Sequence, residues 1–337
     1  MDNQLDSGAT PLRLLLLVRQ VTYEAVGVRS YELVDPAGAP LPPVSAGAHL
    51  DVYLGNGMTR QYSLCNDPTE RHRYVIAVLH DEYGRGGSKH IHEKFQVQDL
   101  VTVGFPRNNF QLSSEARKHL LIAGGIGVTP MKAMAHQLAT ADGEYELHYC
   151  AKGPEFAAFR SDFERMFKPG RVFFHFDGGN HVDGLNIASL LREQPSGTHV
   201  YYCGPGGFMA ACEKAAADWP RGTVHFEHFK PPVPVRPATS ATNEVAEQPG
   251  PPEFSIKIAS TGLVFDVPAN RTIVEVLADA AITVETSCEA GLCATCKVRY
   301  VSGEVDHRDY VLSDEEHAEF FTACVSRSKS PMLVLDL

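Results

Sequence analysis

The sequence predicts a multidomain protein in which an antiparallel β-barrel precedes a doubly wound α/β domain, with a smaller module tethered after both. Three observations carry that reading. Up to residue 113 the chain offers short strand-like stretches between turn signals, at 12–21, 49–54, 60–64, 74–79 and 100–103, the rhythm of a barrel or sandwich. From His119 strands alternate with helices: HLLIAG, a helix over 128–138, YELHYCA, a helix near 156–167, RVFFHF, a helix over 187–192, THVYYC and a helix over 208–219. Such alternation indicates a parallel sheet with its ligand site beyond the strand C-termini. Residues 231–252 then hold seven of the 22 prolines with no hydrophobic periodicity, a composition suited to a semi-stiff, extended linker. The expected divisions are 1–113, 114–230, 231–252 and 253–337.

Composition narrows the function classes. The 337 residues are 44% apolar and 21% charged, ordinary values for a globular chain, which exclude a disordered, fibrous or membrane-bundle protein. The apolar run 14–18 is far shorter than the ~20 residues of a membrane span. Asp2 and Asp6 stand where a secretory signal carries positive charge. Thirty basic against 41 acidic residues give a net charge of −11, which argues against a nucleic-acid partner. The expectation is a cytoplasmic protein whose eight cysteines are thiols or metal ligands. Residues 253–337 carry 14 acidic and seven basic side chains, a net −7 that suits docking on a basic surface or plain solubility.

The most informative pattern follows the linker. Cys288, Cys293 and Cys296 are spaced C-x4-C-x2-C, with Cys324 distant, the plant-type [2Fe–2S] ligand arrangement. A compact loop can wrap one side of a small cluster while a remote thiolate closes the other. Gly291 gives that loop backbone freedom, and small Ala290, Ala294 and Thr295 leave room for sulfides and backbone donors. Structural zinc would more usually show two C-x2-C knuckles, and only one is present.

Two loops of the α/β region suit phosphate. Gly124, Gly125 and Gly127 end a buried strand and lead through Val128 and Thr129 into a helix whose free N–H groups favour an anion. Pro130 is tolerated in the first turn. The spacing departs from G-x-G-x-x-G, which points to another class of dinucleotide domain. Cys203, Gly204 and Pro205 end a later strand on the same rim, and the Cys203 thiol is either a nicotinamide neighbour or a buried strand-end cysteine. In the barrel, Arg60 and Tyr62 share one strand face, a cation beside an aromatic, with Gln61 and Ser63 between and after them. Gly86, Gly87 and Ser88 open a helix, a second anion cradle. Together these sites imply two phosphorylated cofactors.

The ordered set RQYSL, GRGGS, GGIGVTP, CGPGGFM and the C-terminal cysteines resembles the phthalate dioxygenase reductase family, within the ferredoxin–NADP reductase-like flavoproteins, over essentially the whole chain. The resemblance implies an FMN-binding barrel, an NAD(P)-binding sheet domain and an α+β, ferredoxin-like (β-grasp) module with a [2Fe–2S] cluster. By it, Arg60 and the GRGGS backbone hold the FMN phosphate, Gln61, Tyr62 and Ser63 lie against the flavin, and Val78 and Leu79 meet the ring through their backbone. Gly125, Gly127 and Thr129 cradle the pyridine nucleotide, Cys203 lies near the nicotinamide, Ser63 and Cys203 are the catalytic residues, and Phe226 shelters the flavin. His80 stands where the family often has Arg or Lys. NADH is favoured over NADPH, because Cys150-Ala-Lys152 lacks a Ser/Arg pair for a 2′-phosphate and Asp177 adds negative charge. The implied function is the reductase component of a two-component Rieske-type aromatic-ring oxygenase or demethylase. Alternatives are a reductase serving another acceptor, such as a cytochrome P450, and a non-catalytic redox-sensing or metal-binding protein.

Overall fold

The structure, a computed structural model, describes residues 13–55, 57–230 and 254–337; the proline-rich stretch lies outside the described residues. They form two units, Met1–Glu227 and His228–Leu337.

The first unit begins with six antiparallel strands: β1 (Arg13–Ala25), β2 (Val28–Val34), β3 (His49–Tyr53), β4 (Thr59–Ser63), β5 (Tyr74–Leu79) and β6 (Leu100–Gly104). Their order is β4-β3-β6-β1-β2-β5, and a bridge from Leu64 to Ile76 joins the two ends of the sheet into a barrel. Leu16, Val18, Tyr31, Leu33, Leu50, Val52, Ile76 and Val103 fill it. Strand β2 is absent from the sequence expectation. It pairs with β1 across a tight turn in which Gly27 adopts φ +74°, and its near-continuous burial erases the alternation that marks a half-exposed strand. Between β5 and β6 runs α1 (Gly87–Lys94).

The second half of this unit is a five-stranded, wholly parallel sheet: β7 (Lys118–Gly124), β8 (Glu144–Ala151), β9 (Val172–Phe176), β10 (Thr198–Cys203) and β11 (Val224–Glu227), ordered β11-β10-β7-β8-β9. Its helices are α2 (Val128–Thr140), α3 (Arg160–Met166), α4 (Ile187–Leu190) and α5 (Gly206–Ala215). α4 stops at Leu190, short of the expected 192, and α5 starts at Gly206, ahead of the expected 208, and stops at Ala215, short of 219. Phe159, at φ +60°, breaks the expected helix over 156–167 into a 3-10 turn and α3. Chain order reverses between β7 and β10, the switch point at which such sheets open a crevice for ligand. Barrel and sheet share one hydrophobic core, since Ala25, Val28, Cys65, Ala77 and Phe110 pack with Val128, Met131 and Tyr201.

The second unit holds β12 (Phe254–Ile258), β13 (Val264–Val267), β14 (Lys297–Ser302), β15 (Val305–Asp306), β16 (Phe320–Thr322), β17 (Arg327–Ser328) and β18 (Met332–Leu335), with α6 (Ile273–Asp279) and α7 (Asp314–His317). The mixed sheet runs β13-β12-β18-β14-β16, with β12 and β18 parallel. Thr272 and Ser313 start α6 and α7 with reciprocal capping boxes to Glu275 and Glu316. Ile256, Ile273, Leu277, Phe321 and Leu333 form the core. A mixed sheet with one helix laid across it agrees with the expected β-grasp.

Candidate functional site

All four cysteines of the spaced set are buried, at 9% exposure or less. The Cys288 thiol is in hydrogen-bonding contact with those of Cys293 and Cys324, and Cys296 with Cys324. The loop turns through left-handed backbone at Glu289, Gly291 and Ala294, which aims N–H groups inward. Ala290 and Leu292 donate to the Cys288 sulfur at 3.4 and 3.3 Å, and Thr295 donates to Cys293 at 3.5 Å. A β-carbon on Gly291 would lie 2.8 Å from Val325 and 3.0 Å from Asp309, so glycine there serves both φ and packing. Four converging thiols wrapped in peptide donors fit an iron–sulfur cluster.

On the α/β sheet, Gly127 is pressed against the other phosphate-type loop. A β-carbon there would meet the Cys203 carbonyl at 2.2 Å. Gly204 in turn lies against Gly124 and Phe208. The N-termini of α2 and α5 therefore sit side by side at the switch point, neither with an acidic residue in its first turn. Nothing lies within 4 Å of a β-carbon built on Gly125, Gly206 or Gly207, so the rim is open to a bound anion. Thr129 spends its hydroxyl on the Ile126 carbonyl at 3.1 Å, leaving its contribution to position the turn. Cys203 is fully buried, and burial pushes its thiol well up.

In the barrel, Arg60 crosses to the start of α1. Its guanidinium donates to the Arg85 carbonyl at 2.9 Å, and Gly87 is so close that a β-carbon would lie 2.5 Å from the Arg60 side chain. Gly86 makes the turn at φ +80°. Ser88 accepts from the Asp81 N–H at 3.1 Å and fixes the loop. Cation and helix N-terminus thus converge, a fit for a phosphate monoester. Strand alternation sends Arg60 and Tyr62 one way and Gln61 and Ser63 the other. Val78 is buried and its carbonyl accepts from His92 Nε2 at 2.8 Å, while Leu79 is half-exposed.

The Gln61 and Ser63 side reveals a residue that the sequence reading missed. The Ser63 hydroxyl donates to Glu227 Oε2 at 3.4 Å, and the other Glu227 oxygen is 3.9 Å from His49 Nδ1. Burial raises the Glu227 carboxyl to about 8. Burial, reinforced by Arg107, lowers His49 to about 4. Gln61 donates to Asp51 at 3.0 Å, and Asp51 is ion-paired with Arg107. Glu227 is paired in register with Cys203, so Ser63, Cys203 and Glu227 gather where barrel meets sheet. Phe226 is turned away from them: its ring stacks on Tyr202 at 5.5 Å, on the opposite face of β11 from Glu227. The structure does not bring Phe226 to Ser63, because one residue along a strand reverses the face.

Comparisons with known proteins agree with this layout. Residues 256–329 match the 2Fe-2S iron-sulfur cluster binding domain, and residues 121–214 the oxidoreductase NAD-binding domain. The chain is 44% identical to the phthalate dioxygenase reductase of Burkholderia cepacia, over 91% of this chain and 92% of that one. The solved phthalate dioxygenase reductase, a modular structure for electron transfer from pyridine nucleotides to [2Fe–2S], superposes with a TM-score of 0.70 at 42% identity, over 96% of this chain and 98% of that one. The chain belongs to the phthalate dioxygenase reductase family. This family member is also 52% identical, over 96% of both chains, to the tert-butanol monooxygenase / tert-amyl alcohol desaturase reductase subunit of Aquincola tertiaricarbonis. It further superposes on an intact type IV self-sufficient cytochrome P450 monooxygenase at TM-score 0.84 and 36% identity, covering 96% of this chain but 41% of that one. As an oxidoreductase of this family it joins a flavin-type barrel, an NAD-binding domain and a [2Fe–2S] domain in one chain. No helix among the described residues is long and apolar enough to cross a membrane.

Proposed function

We propose that the chain passes electrons from NADH, through FMN held by the barrel, to a [2Fe–2S] cluster and on to a Rieske-type terminal oxygenase component. When bound, flavin and cluster supply the conversion of one hydride into two single-electron transfers. The remaining tasks fall to residues. Arg60 and the Gly86–Gly87 turn anchor the flavin phosphate, and the N-termini of α2 and α5 hold the dinucleotide. Ser63 and Glu227 flank the place where nicotinamide and flavin meet, with Cys203 beneath. Cys288, Cys293, Cys296 and Cys324 hold the iron. The division into 1–113, 114–230, 231–252 and 253–337 gives each task its own segment.

The observation that carries the reading is the quartet of buried, mutually contacting thiols in a chain whose full-length relatives include oxygenase reductases, among them vanillate O-demethylase oxidoreductases and a carnitine monooxygenase reductase subunit. Asp177 supports NADH. It closes β9 at the C-terminal rim, where its N–H donates to the Ala151 carbonyl at 3.3 Å, and a carboxylate there opposes a 2′-phosphate. A cytochrome P450 acceptor is the second reading, favoured by the self-sufficient P450 likeness. The deciding experiment supplies the purified chain and NADH to a Rieske oxygenase and, separately, to a P450, and follows product. Turnover with the P450 alone would overturn the oxygenase assignment.

A further inference from the structure

Beside the cluster loop lies a group of side chains that electron transfer does not use. His307, Asp309 and His317 bring Nδ1, a carboxylate oxygen and Nε2 within 4.8 Å of one another. His317 Nε2 is 3.2 Å from each Asp309 oxygen, and His307 Nδ1 is 4.0 Å from Oδ1. The two imidazoles lie 4.0 Å apart, centroid to centroid. Donors roughly 2.0–2.2 Å from one tetrahedral zinc ion stand about 3.3 Å apart, so these spacings bracket the required value.

The carboxylate at the centre of the group is covered and oriented, while the His307 and His317 side chains keep 22% and 26% exposure. The Asp309 carboxylate has no solvent exposure. Its Oδ2 accepts from the N–H groups of Leu312 at 3.0 Å and Val311 at 3.4 Å, which orients Oδ1 inward as outer partners of a metal ligand do. His307 Nδ1 is buried and makes no hydrogen bond. A structural hydrogen bond between Asp309 and His317 would leave that nitrogen unexplained.

We propose that His307, Asp309 and His317 form a second metal site, taking one divalent zinc-class ion through three protein ligands and water. The donor set, two imidazoles and a carboxylate, suits zinc better than calcium or magnesium, which prefer all-oxygen shells. The site adjoins the cluster loop: the Tyr310 N–H donates to the Gly291 carbonyl at 2.9 Å. An ion there would tie the segment carrying His307 to α7 beside the loop that bears Cys288 and Cys293.

The test uses the full-length, cluster-loaded protein, dialysed to equilibrium against graded zinc(II) without chelator, with zinc and iron measured together. One zinc per chain above the cluster iron is expected, with affinity reduced at least tenfold in both His307→Ala and His317→Ala, and unchanged in the exposed-site control His72→Ala. Iron content should stay constant throughout. The two histidine variants spare the backbone contacts of Asp309, so folding does not confound the result. No zinc above the iron would overturn the proposal. So would equal uptake by the histidine variants, or zinc gained at the expense of iron, which would place it on the thiolates. NADH–ferricyanide turnover, read on the same samples, depends on the electron-transfer reading and not on this site.

Discussion

Glu227 carries a burden that no single motif announces. Its carboxyl is held near 8 by burial against an ordinary 4.5, so the folded chain keeps a proton that the unfolded chain releases. Folding is therefore unopposed by this group below pH 4.5 and is increasingly penalised as pH rises towards 8. Glu227→Gln is expected to stabilise the protein by about 1–3 kcal/mol at pH 8, with the gain vanishing at pH 4; thermal melts at the two values check this, and equal gains at both would refute the burial argument. At the cluster, Cys293→Ser should abolish iron–sulfur absorbance yet spare most NADH–ferricyanide turnover, whose residues lie in the other unit. For Arg60→Ala, loss of a charge-assisted contact predicts FMN affinity weakened about tenfold or more, measured by flavin retained after gel filtration. The cysteine ligands were legible because their spacing is local. Glu227 was not, because its partner Ser63 lies 164 residues away and an isolated Glu before the linker carries no signal.

Among the elements, the glycine loops earn their residues by close approach. Gly127→Ala would drive a β-carbon into the Cys203 carbonyl at 2.2 Å, where both neighbours are backbone and neither can swing aside. The expected outcome is about 1–3 kcal/mol of destabilisation and a raised KM for NADH; an unchanged melting temperature and KM would show that the loops are not packed as described. The sequence showed the parallel sheet clearly, since the strand-like HLLIAG, YELHYCA and THVYYC alternate with helical stretches and end in glycine or small residues. It hid β2, whose residues are nearly all buried, and it set Phe226 against the flavin without knowing which face of its strand the ring takes. Stacking on Tyr202 decides that face, and it is a tertiary fact.

Across the whole molecule, buried histidines among the fifteen couple stability to pH. His49 and His136 are buried, with burial as the main reason each is lowered to about 4. The unfolded chain takes up protons below pH 6.5, whereas these folded sites resist until about pH 4, so stability should fall across that window and be flat above it with respect to them. Each contributes up to roughly 3 kcal/mol. Urea unfolding of the first unit at pH 7 and pH 5, carried out in the Glu227→Gln background so that the opposing carboxyl is absent, reads the loss, and identical midpoints would contradict it.

The domain order itself states the central claim, that reducing equivalents enter at the α/β sheet and leave from the four thiolates. Anaerobic titration with NADH, followed by visible absorbance and low-temperature electron paramagnetic resonance on the same sample, tests it most directly. The account predicts loss of flavin absorbance together with the appearance of a reduced [2Fe–2S] resonance. Flavin bleaching with a cluster that stays oxidised under excess NADH, or purified protein lacking either chromophore, would contradict it.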